Sequence, residues 1–165
     1  MRALTLIALT VLAAGPAAAM PMPKPTGPVL LTITGAINNA DADGKAEFDM
    51  AMLDALPQKE TTTLTPWYDG ETTFTGPLAT ALLDAVGAHG ATIHVTAIND
   101  YSADLPMSDL SDDPVIFATR INGEVMSVRD KGPIFVIYPF SENPDLYNEA
   151  YFGKSVWQVV SIDVR

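Results

Sequence analysis

The chain has 165 residues, 48% of them apolar, and 20 acidic side chains against 9 basic ones, for a formal net charge of −11. That balance argues against nucleic acid and anionic lipid as partners, because both are bound through basic surfaces. It has no cysteine, which removes disulfides, thiol nucleophiles, cysteine-bound zinc, iron–sulfur clusters and thiolate-ligated metals.

The N-terminus reads as a secretory signal over residues 1–19. Arg2 forms a short basic start, Leu4 to Ala14 an apolar stretch, and Ala17-Ala18-Ala19 a small-residue cleavage site. The apolar run is short for a membrane span and is broken by Gly15-Pro16, so cleavage is the expectation and an uncleaved anchor the alternative. The mature protein then lies in the periplasm, without direct membrane insertion, and loss of Arg2 takes its net charge to −12. Residues 20–28, with prolines at 21, 23, 25 and 28, read as an extended linker. Residues 29–165 form a single domain by size, with no internal repeat.

Val29 to Ile37 is rich in β-branched residues and predicts a strand, with Asn38-Asn39 as a turn and Asp41 to Gly44 as a loop. Phe48 to Pro57 predicts a short helix capped by Asp49, with Met52, Leu53 and Leu56 on one face. Thr61 to Thr65 favours a strand. Thr75 is the expected cap of a second helix, in which Leu78, Leu82 and Val86 recur at helical spacing before Gly87. The remaining pattern predicts strands at 92–98, 101–105, 115–121, 124–128, 134–138 and 156–164, with Asn122-Gly123 as a hairpin turn. Ser108 to Pro114 reads as a capped short helix and turn with a solvated acidic face, lacking the ligand spacing of a calcium loop. Strand runs interrupted by short helices give an α+β class with mixed β-sheets.

Familiar catalytic signatures are missing: there is no phosphate loop, no nucleophile elbow, and neither His89 nor His94 has a neighbour at metal-ligand spacing. No catalytic or metal-ligating residue is assigned. Aromatic residues beside Pro, Gly or Asp in predicted loops are the better signal, since such rings stack on flat ligands as readily as they fill cores. Trp67, between Pro66 and Tyr68, is the first candidate, with Trp157 at the head of the last strand. Cations are scarce, so Arg129-Asp130-Lys131 and Gly153-Lys154-Ser155 stand out either as grips for polar oxygens or as ordinary ion-pair partners.

Several segments, in order, resemble the sulfite-oxidase-type molybdopterin-binding domain. They are Leu31 to Gly35, Phe74-Thr75-Gly76-Pro77-Leu78, Asn99 to Pro106, Ile121-Asn122-Gly123-Glu124, Lys131-Gly132-Pro133-Ile134 and Tyr151-Phe152-Gly153-Lys154-Ser155-Val156. The resemblance implies that family's α+β fold, and puts its molybdenum-binding Cys within Thr63-Leu64-Thr65. Lacking the thiolate, the chain is more similar to a cysteine-free branch of exported pterin-binding, PruR-like regulators. That branch implies a pocket for a reduced pterin rather than molybdopterin, and a periplasmic contact with an inner-membrane enzyme making or degrading cyclic di-GMP. By the same resemblance Trp67 or Tyr101 stacks on the ring and Asn99 or Asp100 accepts from its amino group. Arg129 and Lys154 meet its oxygens, and Tyr151 and Ser155 belong to the matching C-terminal segment. The alternatives are a molybdopterin-dependent oxidoreductase, or a subunit of one, and a protein-interaction scaffold.

Overall fold

The computed structural model describes residues 22–165; the secretory-signal reading falls outside the described residues. Eleven strands and four α-helices alternate irregularly, as the α+β expectation requires. They are β1 (Leu31–Gly35), β2 (Ala46–Phe48), α1 (Met50–Asp54), β3 (Gln58–Thr65), β4 (Tyr68–Pro77), α2 (Ala79–Ala85), β5 (Thr92–Ala97) and β6 (Ser102–Pro106). Then follow α3 (Met107–Asp112), β7 (Ile116–Ala118), β8 (Arg120–Ile121), β9 (Glu124–Val125), β10 (Phe135–Ile137), α4 (Glu149–Lys154) and β11 (Val159–Val164). No helix among the described residues is long and apolar enough to cross a membrane.

The largest sheet has the order β2-β1-β11-β5-β6, with β1 parallel to β11 and the other pairs antiparallel. Its strands alternate cleanly, so Leu31, Ile33, Ile93, Val95 and Ile162 are buried while Thr32, Thr34, His94 and Thr96 are only half covered. Leu53 of α1, Leu82 of α2 and Leu110 of α3 join the same core. A second sheet has the order β3-β4-β8-β9. Between them stands a two-stranded ladder in which Phe135, Val136 and Ile137 of β10 pair with Ala118, Phe117 and Ile116 of β7. All six residues are fully buried. Phe117 and Val136 join the larger core, and Ile116, Ala118, Phe135 and Ile137 a smaller one around Phe74 and Met126. A strand buried on both faces reads as an unbroken apolar run, as Val-Ile-Phe-Ala and Ile-Phe-Val-Ile do.

Several sequence boundaries move for identifiable reasons. The expected strand over 115–121 divides at buried Thr119: its first half pairs with β10, its second with β4 and β9. Thr75 does not cap a helix. It lies in β4, a strand absent from the sequence reading, because Tyr68 to Pro77 pairs along almost its whole length with β3. Helix α2 starts only at Ala79, after the strand has ended at Pro77, with no side-chain cap. Helix α4 is also unforeseen; Asn148 caps it by accepting the Ala150 N–H. The last strand starts at Val159 rather than Val156, after Gln158 in a left-handed conformation (φ 54°). The hairpin at Asn122-Gly123 forms as expected, both residues having positive φ (48° and 84°).

Asp49 caps α1 through the Met52 N–H (2.9 Å), as the sequence indicates, and its other oxygen accepts the N–H groups of Thr26 and Gly27. The end of the Pro-rich segment is thereby fastened to the domain. These backbone donors, Met52 and Gly27 foremost, outweigh desolvation and hold the carboxyl at about 2 instead of 3.8. A depressed carboxyl contributes stability that is complete above the ordinary value and lost as pH falls through the depressed one. Asp49→Asn, whose amide cannot accept from Thr26 and Gly27 at Nδ2, is expected to melt below wild type at neutral pH. The gap between their Tm values should close between pH 3.8 and about 2; a gap independent of pH would contradict this role.

Gly76 is required for contact. A Cβ there would overlap the Phe117 carbonyl oxygen of β7, so Gly76→Ala must push β4 off the buried ladder. We expect it to lose roughly 1–3 kcal/mol in chemical denaturation, the cost of overpacking.

Candidate functional site

Pro66-Trp67 is the two-residue connection between β3 and β4, and its position at the tip of that hairpin carries the indole away from its own sheet. Trp67 meets Phe135 of the buried ladder edge-on (centroids 5.2 Å apart) and also Phe152 of α4 and Trp157, each at 5.9 Å. Trp157 is fixed by its bridge to Phe135. Edge-to-face pairs of this kind suit the ring quadrupoles and lock the ring orientations. Trp67, Phe152 and Trp157 line a cleft of about 300 Å³ closed by Asn99 and Tyr101 of the β5–β6 loop and by Glu149, Gly153 and Ser155. The Tyr101 hydroxyl donates to the Gly153 carbonyl (2.7 Å), clasping the loop to α4. Both tryptophans of the chain line this one cleft.

Other hollows lack this chemistry. One of about 310 Å³, between the Pro-rich segment and the β1–β2 region, is lined by Met22, Lys24, Lys45 and Glu47 but by no aromatic ring. A shallow one beside Leu64, Phe140 and Tyr147 has no charged group.

Four of the eight sequence candidates come together: Trp67, Asn99, Tyr101 and Ser155 line the cleft. Their free chemistry differs. Asn99 accepts the Tyr101 N–H with its side-chain oxygen (3.3 Å), and the Ser155 hydroxyl, fully buried, donates to the Tyr151 carbonyl (3.0 Å). Asp100 sits at the exposed tip of the β5–β6 loop with φ 64° and does not line the cleft. Arg129 is exposed in the turn Val128–Asp130. Tyr151 and Lys154 belong to the opposite side of α4. The Tyr151 ring packs edge-on against Tyr138 at 5.2 Å, and Lys154 Nζ lies 4.6 Å from that ring's centroid. Lys154 also donates to Asp109 of α3 at 2.6 Å. Burial, with Asp109 second, pushes the Tyr138 phenol far up, so it stays protonated beside this pair.

The sequence reading missed Glu149, Phe152 and Trp157 as a set with Trp67. The signal available was Asn148 as a helix cap, which turns Glu149 to Lys154 into a helix and separates Glu149 and Phe152 from Tyr151 by face.

In the resembling family the molybdenum takes a Cys thiolate, and the donor set here does not supply one. At the corresponding stretch of β3, Thr63 is buried and accepts the Ser141 N–H (2.9 Å), Leu64 is half exposed, and Thr65 offers only a buried neutral hydroxyl. Among the described residues no three His, Asp or Glu side chains converge as a metal site. No curated protein matches the sequence. A family model does: residues 31–142, from β1 through the segment after β10, match the model for the oxidoreductase molybdopterin binding domain. With mixed sheets, short helices and a match over most of its length, the chain belongs to the oxidoreductase molybdopterin binding domain family.

Proposed function

We propose that this chain binds a reduced pterin without metal, in the cleft between the β5–β6 loop and α4. The observation that carries the reading is the pairing of three rings, Trp67, Phe152 and Trp157, with the carboxylate of Glu149 at one rim. A pterin is flat, so it gains by stacking on such rings, and its aminopyrimidinone edge presents adjacent N–H donors that suit a carboxylate. Glu149 takes the part that the sequence suggested for Asp100, and the Asn99 amide supplies a second polar contact. A cleft of about 300 Å³ is at the small end of ligand sites, in keeping with a single small heterocycle.

The protein acts, on this reading, by binding rather than turnover. Its cysteine-free sequence lacks the thiolate that the resembling enzymes give the metal, while membership of a molybdopterin-binding family supports a pterin as the ligand. The apolar leader supports export to the periplasm. There the loaded protein contacts the periplasmic part of an inner-membrane enzyme of cyclic di-GMP metabolism.

Both tryptophans line the cleft, so 6-methyltetrahydropterin added anaerobically should quench most of the intrinsic fluorescence and give a saturable isotherm by calorimetry. Glu149→Gln keeps shape and removes charge; we expect it to weaken binding by about 1–3 kcal/mol, the worth of a charged hydrogen bond, with Tm unchanged. A change below about threefold, or about 0.6 kcal/mol, would remove Glu149 from the site. Stoichiometric molybdenum in protein purified from the periplasm would overturn the metal-free reading. Tyr101→Phe, which loses the clasp to Gly153, should raise koff for the same compound several-fold while leaving the helix content by circular dichroism intact.

A further inference from the structure

Lys131 lies over two aromatic rings at once and is in no carboxylate pair among the described residues. In a chain with 20 acidic side chains, its ammonium is applied to aromatic rings, with Nζ 5.3 Å from the centroid of Tyr68 and 5.7 Å from that of Trp157. Lys59, Arg120 and Arg165, by contrast, pair with carboxylates, and Lys154 combines a pair with Asp109 with its place over the Tyr151 ring. The placement is built into the backbone. Gln158 donates its N–H to the Lys131 carbonyl (3.0 Å) and its side-chain amide to the Val128 carbonyl (2.7 Å), pinning the 128–131 turn to the residue after Trp157. The Tyr68 hydroxyl holds the same turn through the Asp130 carbonyl (3.2 Å). Lys131 and Gln158 both adopt left-handed conformations to allow this, with φ 68° and 54°, an arrangement that costs backbone energy in non-glycine residues.

Trp157 is shared between this cation and the cleft. An ammonium within about 6 Å of an indole is attracted by its π density and draws that density toward itself. A ring polarised in this way is a better partner for an electron-rich ring than for an electron-poor one. We propose that Lys131, acting through Trp157, is a specificity-determining residue that makes the cleft favour electron-rich, reduced pterins over fully oxidised ones. This rests on the pterin reading above. Lys131 is a positioning and polarising residue and does not line the cleft itself.

The test uses the full chain, 6-methyltetrahydropterin and 6-methylpterin, with Kd values for both measured anaerobically by calorimetry. Wild type should prefer the reduced compound. Lys131→Met keeps the length of the side chain and a non-glycine residue at φ 68°, so the backbone cost is unchanged. It should lose about threefold to tenfold of the preference, the range of a single cation–π contact, with the Kd for 6-methylpterin within about twofold of wild type. Lys131→Arg, which restores charge over the ring, should restore the preference. Lys131→Gln repeats the test if the Met variant melts early. A wild type without preference, a Met variant that keeps it, a Met variant weakened equally for both compounds, or an Arg variant that fails to restore it each overturns the role of Lys131 while leaving the pterin reading standing. Binding of neither compound by wild type overturns both.

Discussion

The β7–β10 ladder is the constraint on which the remaining structure depends. Its six residues are buried on both faces, three antiparallel register pairs separating two hydrophobic cores. Fully burying a large apolar side chain is worth about 1.5–3 kcal/mol each, but the ladder's importance is geometric. Phe117 and Val136 face the five-stranded sheet and its helices, while Ile116, Ala118, Phe135 and Ile137 face the four-stranded sheet. A shift of one residue in this register would exchange the two sets and leave neither core filled. Gly76 lets β4 lie directly against β7, and Thr119 lets the chain pass from one sheet to the other.

The cleft is a consequence of that wall. Phe135 extends from it to meet both Trp67 and, through an isolated bridge, Trp157, which also touch each other. The rings therefore have little rotational freedom, which lowers the entropic cost of stacking a ligand on them. Polar groups reach the cleft from elements whose own hydrogen bonds are already satisfied. Tyr101 holds α4, Asn148 caps it, and Ser155 closes its last turn, and Glu149, without an ion pair among the described residues, lines the cleft. The cationic side chain most closely associated with this cluster reaches it indirectly, through the indole of Trp157.

Much of the fold was legible because its signals were local or periodic. β-branched and strand-favouring runs marked β1, β5 and β11; Asn122-Gly123 marked a hairpin; Asp49 marked the start of α1. What failed was local chemistry overruled by distant pairing. Thr75 and Pro77 look like a helix start, yet β3 offers Tyr68 to Pro77 a nearly complete hydrogen-bonding partner. The apolar run from Val115 to Ile121 looks like one strand, yet its halves pair in different sheets. At the site, Trp67 was visible from its setting between Pro66 and Tyr68. Lys154 and Tyr151 stand away from that cleft because a motif reads as a string, whereas a helix sends neighbouring residues to opposite faces: Lys154 turns to Asp109, and Phe152 to Trp67.

By itself the sequence determined which donors this protein can ever present. A chain without cysteine has no thiolate in any conformation, and its β-branched alternation and Asn-Gly turn set a strand-rich domain. Only the tertiary structure decided which of its aromatic and charged residues share a cleft. Glu149 lies 82 positions from Trp67 and Lys131 lies 26 from Trp157, so their association is fixed by the turn of α4 and by the packing of Phe135 rather than by anything adjacent in the chain. Stacking and cation–π contacts act over a few ångströms, and only a folded core brings such distant residues within that range.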